Sequence, residues 1–262
     1  MIQTSLRCSK EPGVVILSMN KTDPMGWIKT QLWDEATERN AATLECGIDE
    51  NIHLSPEIVD EYKSTYYGHF KKRFIDNEWA SASGTVYEAW ELDDADYGAE
   101  ATLSLDWGPA GVTAGLFWVK TPYGYQIAGE LYYDGRQAGR VTDQTQVANL
   151  MAKGYEFKTA IVDPSAVPMQ DALRAAGVRV IGGNNAIEKG IITTDFNLRT
   201  GKVKINPACK SLLAEMSAYA WSTNPGDDKP IKRNDHACDA LRYGMMQLMP
   251  MRSRQPEKLR GF

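Results

Sequence analysis

The chain has 262 residues, 43% of them hydrophobic and 24% charged, enough for one substantial core and a second small one. No run of about 18 uncharged apolar residues could span a bilayer, and no basic stretch followed by an apolar segment opens the chain, so neither membrane insertion nor secretion is expected and the cytoplasm is the default location. Cys8, Cys46, Cys209 and Cys238 lack CxxC spacing, which argues against a zinc site or a disulfide framework and makes them free thiols.

A net charge of -5 argues against a nucleic-acid partner only until it is divided along the chain. Residues 1–100 carry 9 basic against 19 acidic side chains, a net of -10, whereas the remainder carries 20 against 15, a net of +5. The basic part suits contact with phosphate, although a solvated mixed surface explains the same composition equally well. The acidic stretch from Glu88 to Glu100 separates the two textures. It sets a domain boundary, with 1–100 on one side and 101–262 on the other.

In the first part, Gly13 to Met19 is an apolar run that reads as a buried strand, ending at Asn20 before the turn residues Asp23 and Pro24. Trp27 to Thr37 is amphipathic and reads as a helix. Ser55, with Pro56 at the first helical position, signals a second helix running towards Phe70. One strand and two or three helices form too small a unit to stand alone, so this partial α/β segment packs on the rest or on a partner.

From Ala101 three β-rich runs follow, Ala101 to Asp106, Gly111 to Val119 and Gly124 to Tyr133, separated by Gly and Pro turns. Thr142 to Lys153 reads as a helix, Lys158 to Asp163 as a buried strand, Ser165 to Ala176 as a helix closed by Gly177, and Val178 to Ile181 as a strand. Asn185 to Leu198 reads as helical, Lys202 to Ile205 as extended and Ala208 to Trp221 as helical; a loop over Thr223 to Pro230 then precedes a last helix from Asn234 to about Leu248. Three strands and then alternating helices and strands is the order of an RNase H-like α/β fold, a mixed sheet flanked by helices.

Three elements place carboxylates where chemistry could use them. Asp106 ends the strand-like ATLSL, with Ser104 and Asp106 on the face opposite Leu103 and Leu105. Asp163 ends the apolar run Ala160-Ile161-Val162 before Pro164-Ser165. Either acid serves equally well as a turn residue, and Asp163 as a helix cap. On the last helix, Asp235 and His236 lie four and three residues before Asp239, so the polar groups share a face. Cys238, Leu241, Met245 and Leu248 form the stripe that anchors this helix, with Ala237 and Ala240 allowing close approach. Asp residues also favour a helix N-terminus electrostatically, which accounts for Asp235 better than for Asp239.

DWG at Asp106 to Gly108, VDPS at Val162 to Ser165 and NDHACDALRYG at Asn234 to Gly244 resemble, in order and spacing, the nuclease motifs of phage terminase large subunits. AIEKGI at Ala186 to Ile191, the helix around Glu215 to Trp221 and KPIKRND at Lys229 to Asp235 are similar to that family too. The resemblance implies a divalent-metal-dependent DNA endonuclease that cuts concatemeric DNA during packaging. Asp106, Asp163 and Asp239 would bind two Mg²⁺ or Mn²⁺ ions, with His236 as a further ligand or proton-transfer group and Asp235 as an adjacent ligand. Lys189 and Arg242 have a second reading as phosphate contacts, but ordinary surface or structural cations explain them better. Double-stranded DNA would be the substrate, and a portal protein, a terminase small subunit and a separately encoded ATPase part the partners.

GVVILSMN resembles the strand and coupling segment at the end of a terminase ATPase domain, and residues 53–90 its linker. No G-x-x-x-x-G-K-[ST] loop is present, so the triphosphate cradle is missing, and IVDEY at Ile58 to Tyr62 follows Pro56 and reads as helix rather than as a Walker B strand. The expectation is a nuclease half with an ATPase remnant and no ATPase activity of its own. An inactive packaging-motor fragment that binds a partner, and a resolvase or transposase-type nuclease, are the two alternatives.

Overall fold

A computed structural model of the chain describes residues 16–38, 41–108, 111–224 and 227–251. Six strands form one sheet in the order β5-β4-β1-β2-β3-β6. β1 (Glu100–Trp107), β2 (Val112–Thr121) and β3 (Gly124–Asp134) are an antiparallel meander. β4 (Glu156–Val162) lies parallel to β1, β5 (Arg179–Gly182) parallel to β4, and β6 (Val203–Ile205) parallel to β3. Each of the six coincides, to within a residue or two at its ends, with an extended run expected from the sequence.

Strand alternation divides the sheet into two faces, each with its own core. On one face Leu103, Leu105, Phe117, Phe157, Ala160 and Val162 pack under α4 (Asp143–Met151) and α5 (Val167–Ala175). The one-turn helix α3 (Gly135–Ala138) follows β3; Thr142 caps α4 by accepting from the Thr145 amide, and Gly177, at φ 81°, ends the turn after α5 as its position suggests. On the other face Ala114, Leu116, Trp118 and Ile127 meet α6 (Ile187–Arg199), α7 (Lys210–Ala218) and α8 (His236–Leu248).

Helix α8 crosses the centre of that second face, over β1, β2 and β4. Cys238, Leu241 and Met245 are buried and Leu248 packs partly against them, as the expected stripe requires. Ala237, Ala240 and Gly244 bring the backbone down onto the sheet, and a Cβ on Gly244 would sit 2.4 Å from the Trp118 ring. Trp118 keeps its polar edge satisfied in this crowded place by donating from Nε1 to Ser104 Oγ at 2.8 Å.

The part before β1 is helical and extended. The amphipathic segment after Trp27 forms a π-helical turn over Ile28–Trp33. The helix expected from Ser55 is two helices, α1 (Pro56–Thr65) and α2 (Gly68–Phe74), broken where Tyr66 and Tyr67 are extended. The expected strand over Gly13 to Met19 lies partly outside the described residues. Ile16 to Met19 are exposed and irregular, so within them the strand expectation is corrected: an apolar run becomes a strand only where a neighbour offers backbone partners, and none does among the described residues.

Phe70, Ala82, Val86 and Tyr87 belong to the same core as α6, α7 and α8. Isolated bridges from Thr85 to Ala220 and from Leu92 to Ile205 tie this incoming segment down. Among the described residues no helix is long and apolar enough to cross a membrane.

Candidate functional site

Leu105 pairs with Val162 across the parallel β1–β4 ladder, and both point into the α4/α5 core. The next residues along the chain, Asp106 in β1 and Asp163 just past the end of β4, therefore face the opposite side, under α8. The Asp163 amide continues the ladder by donating to the Leu105 carbonyl at 3.1 Å. Two carboxylates thus stand side by side where two central strands end.

Helix α8 supplies the rest. His236, in its first turn, places Nδ1 2.9 Å from Asp106 Oδ2. Asp239 follows one turn later and accepts from Arg242 Nη2 at 2.8 Å. Asp235 occupies the N-cap position and makes no side-chain capping bond. Its charge nevertheless lies at the N-terminus of α8, as the electrostatic reading of this residue has it. Asp163 keeps its turn role, accepting from the Ser165 amide at 2.8 Å and the Ser165 hydroxyl at 2.9 Å.

The electrostatics tie these groups together. Burial pushes the Asp106 carboxyl above its ordinary range, the His236 contact opposes this, and the Asp239 and Asp163 carboxylates push it further up. Asp235 is raised first by burial and then by Asp239. His236 is raised, first by its bond to Asp106, against the opposing effect of burial. Like charges held together in a poorly solvated pocket are relieved by a bound cation.

Three carboxylates from β1, the end of β4 and α8 form a hard oxygen donor set that suits Mg²⁺ or Mn²⁺. As the side chains stand, no group of three or more His, Cys, Asp or Glu among the described residues closes to metal-ligand geometry. Asp163 is turned to Ser165 and Asp239 to Arg242. The donor set thus suits a hard cation in chemistry, while ligation requires rotation of these two carboxylates away from Ser165 and Arg242.

Two further residues shape the site. Glu215, on α7, is 6% exposed and accepts from the Ala237 amide at 2.6 Å and the Cys238 amide at 3.2 Å, while the Tyr132 hydroxyl donates to its other oxygen at 2.6 Å. It does for α8 what an N-cap residue normally does, from another helix. The signal for it lay in the spacing Leu212, Glu215, Met216 and Tyr219, which puts a carboxylate on a core-facing stripe. Tyr243 is buried beside the acids, and a Cβ on Gly183 would meet its ring at 2.8 Å.

Arg242 is 4% exposed and also donates to the Asn184 carbonyl at 3.1 Å, so it is a structural cation of the site. Lys189 is exposed on α6. Cys209 and Cys238 are buried free thiols and Cys46 an exposed one; Cys8 lies outside the described residues.

A six-stranded mixed sheet with this strand order, helices on both faces and acids at the ends of β1 and β4 defines an RNase H-like fold. No family model matches the chain. It is 20% identical over 224 residues to the terminase large subunit of Escherichia phage T5, covering 76% of this chain and 50% of that protein. The large terminase of a thermophilic bacteriophage, solved in complex with ATP-gamma-S, superposes with a TM-score of 0.83 at 30% identity, over 94% of this chain and 66% of that one. The nuclease domain of the P22 large terminase shares the fold, with a TM-score of 0.52 at 16% identity over 63% of this chain and 92% of that domain. The chain is thus similar to phage terminase large subunits over part of their length. It spans half of the T5 protein and 66% of the thermophilic phage's large terminase.

Proposed function

We propose that this chain is a divalent-metal-dependent DNA endonuclease that cuts concatemeric phage DNA during genome packaging. The observation that supports it is the placement of Asp106 and Asp163 on the sheet face that α8 covers, with Asp239 in the first turn of that helix and the Asp106 carboxyl raised by burial and by the other two acids. Asp106, Asp163 and Asp239 hold the cations, Asp235 is the adjacent acid, and His236 either joins them as a ligand or moves a proton at Nδ1 or Nε2. Two Mg²⁺ or Mn²⁺ ions, when bound, supply Lewis-acid stabilisation of the attacking and leaving oxygens of a phosphodiester.

The protein's own part is positional. The β1–β4 ladder fixes the separation of Asp106 and Asp163, and Glu215 fixes the first turn of α8 and with it His236. Arg242, itself buried, pairs with Asp239 in the metal-free chain.

Residues 1–100 correspond in this reading to the end of an ATPase domain and its linker. The sequence holds no phosphate-binding G-x-x-x-x-G-K-[ST] loop, so ATP hydrolysis belongs to another polypeptide segment. Double-stranded DNA is the substrate, in the host cytoplasm, with a portal protein, a small terminase subunit and the ATPase part as partners.

The contacts of Asp163 with Ser165 and of Asp239 with Arg242 favour one other reading, an inactive motor component in which the acids are structural. Incubation of the purified chain with supercoiled plasmid separates them. The nuclease nicks or linearises the plasmid in Mn²⁺ and stops on addition of EDTA; plasmid that stays supercoiled with Mn²⁺ across a range of protein concentrations supports the structural reading.

A further inference from the structure

A cavity of about 480 Å³ opens beside the acids, lined by Asp235 and Asp239 at the start of α8 and by Asn224, Asp227, Lys229 and Lys232 of the loop before it. Its lysine-bearing wall is fixed. The Ser222 amide donates to the Lys229 carbonyl at 2.9 Å, the Ile231 amide to the Ala220 carbonyl at 2.9 Å, and Trp221 bridges to Pro230. Arg73, whose side chain is 5% exposed, clamps Asp228 from α2 with two bonds, at 3.0 and 2.7 Å.

Lys229 and Lys232 are both exposed, and neither has an ion-pair partner among the described residues. Two ammonium groups without ion-pair partners thus stand on a pinned wall near carboxylates. Lys232 is near enough to Asp235 to act on its carboxylate. Asp235 and Asp239 are accounted for by the cations of the proposed nuclease. Lys229 and Lys232 are not.

We infer that this cavity is the channel for the sugar–phosphate backbone of the DNA strand next to the cleavage point, with Lys229 and Lys232 each contacting a phosphate. The inference rests on the nuclease reading for the position of the scissile bond, but not for the binding itself. The loop lysines and the metal-binding acids at the start of α8 would straddle consecutive phosphates of one strand. Contacts of this kind hold any sequence, because they meet the backbone and no base edge. Because the wall is pinned by Arg73 and by the bridge at Pro230, little ordering is needed on binding.

The test uses the full chain, a short fluorescein-labelled DNA duplex and Ca²⁺ in place of Mn²⁺, with binding followed by fluorescence anisotropy over a series of KCl concentrations. The double variant Lys229→Gln/Lys232→Gln is expected to bind roughly tenfold or more weakly and to flatten the plot of log Kd against log salt by about two units. A control, Lys120→Gln/Lys158→Gln on exposed positions of β2 and β4, is expected to keep the wild-type affinity and slope. An unchanged affinity and slope in the first double variant, an equal loss in the control, or no duplex binding by the wild type would each overturn the channel. Lysine-dependent binding without plasmid cleavage would support the channel and sink the nuclease; cleavage with lysine-independent binding would do the reverse.

Discussion

Asp106→Asn is expected to lower Mn²⁺-dependent plasmid cleavage by about a thousandfold, because losing one cation-holding carboxylate forfeits about 4 kcal/mol of transition-state stabilisation. The same substitution should raise the thermal stability of the metal-free protein. Asp106 is 8% exposed, and burial together with Asp239 and Asp163 lifts its folded-state carboxyl above the ordinary value of 3.8. A raised folded value means that the protonated acid favours folding: the favourable contribution is full below the ordinary carboxylate range and is lost as pH rises through the raised value. Asparagine, always neutral, avoids that loss. In EDTA the variant's advantage in Tm should therefore be absent below about pH 4 and grow as pH rises towards neutrality. Opposite signs for activity and stability distinguish a functional acid from a structural one. Equal cleavage by the variant would remove Asp106 from the chemistry, and a lower Tm throughout would make it structural.

Glu215→Ala is expected to cost about 3 kcal/mol of stability, since two buried amides at the start of α8 and the Tyr132 hydroxyl lose their acceptor together. For a domain of this size that is a fall in Tm of roughly 6 to 12 °C. Cleavage should fall as well at a temperature where the variant is still folded, because His236 and Asp239 are carried by the turn that Glu215 holds. Glu215→Gln keeps an acceptor oxygen for the amides and should recover most of the Tm. An unchanged melting curve for the alanine variant would show that α8 is capped by solvent instead.

The sheet and most helices were legible because each strand and helix carries its own period. Leu103 and Leu105 against Ser104 and Asp106, and Cys238, Leu241 and Met245 on α8, state locally which side is buried, and the structure buries those sides. That Asp106 and Asp163 each end a strand was legible from the runs before them, whereas bringing the two acids together came only from the family resemblance. Glu215 was not read as a cap because its contact with Ala237 spans 22 residues, beyond any local signal. The segment around Val86 and Tyr87 was missed as core for a related reason: it is buried while irregular, and irregular backbone has no period to read. Ile16 to Met19 misled in the other direction, since apolarity without a pairing partner gives no strand.

The most direct measurement is anomalous scattering at the manganese edge from crystals of the protein soaked in Mn²⁺. The account predicts density between the Asp106, Asp163 and Asp239 carboxylates, with Asp163 turned away from Ser165 and Asp239 from Arg242 to reach it. A saturating soak that leaves those carboxylates on Ser165 and Arg242, with manganese absent or bound elsewhere, would contradict it.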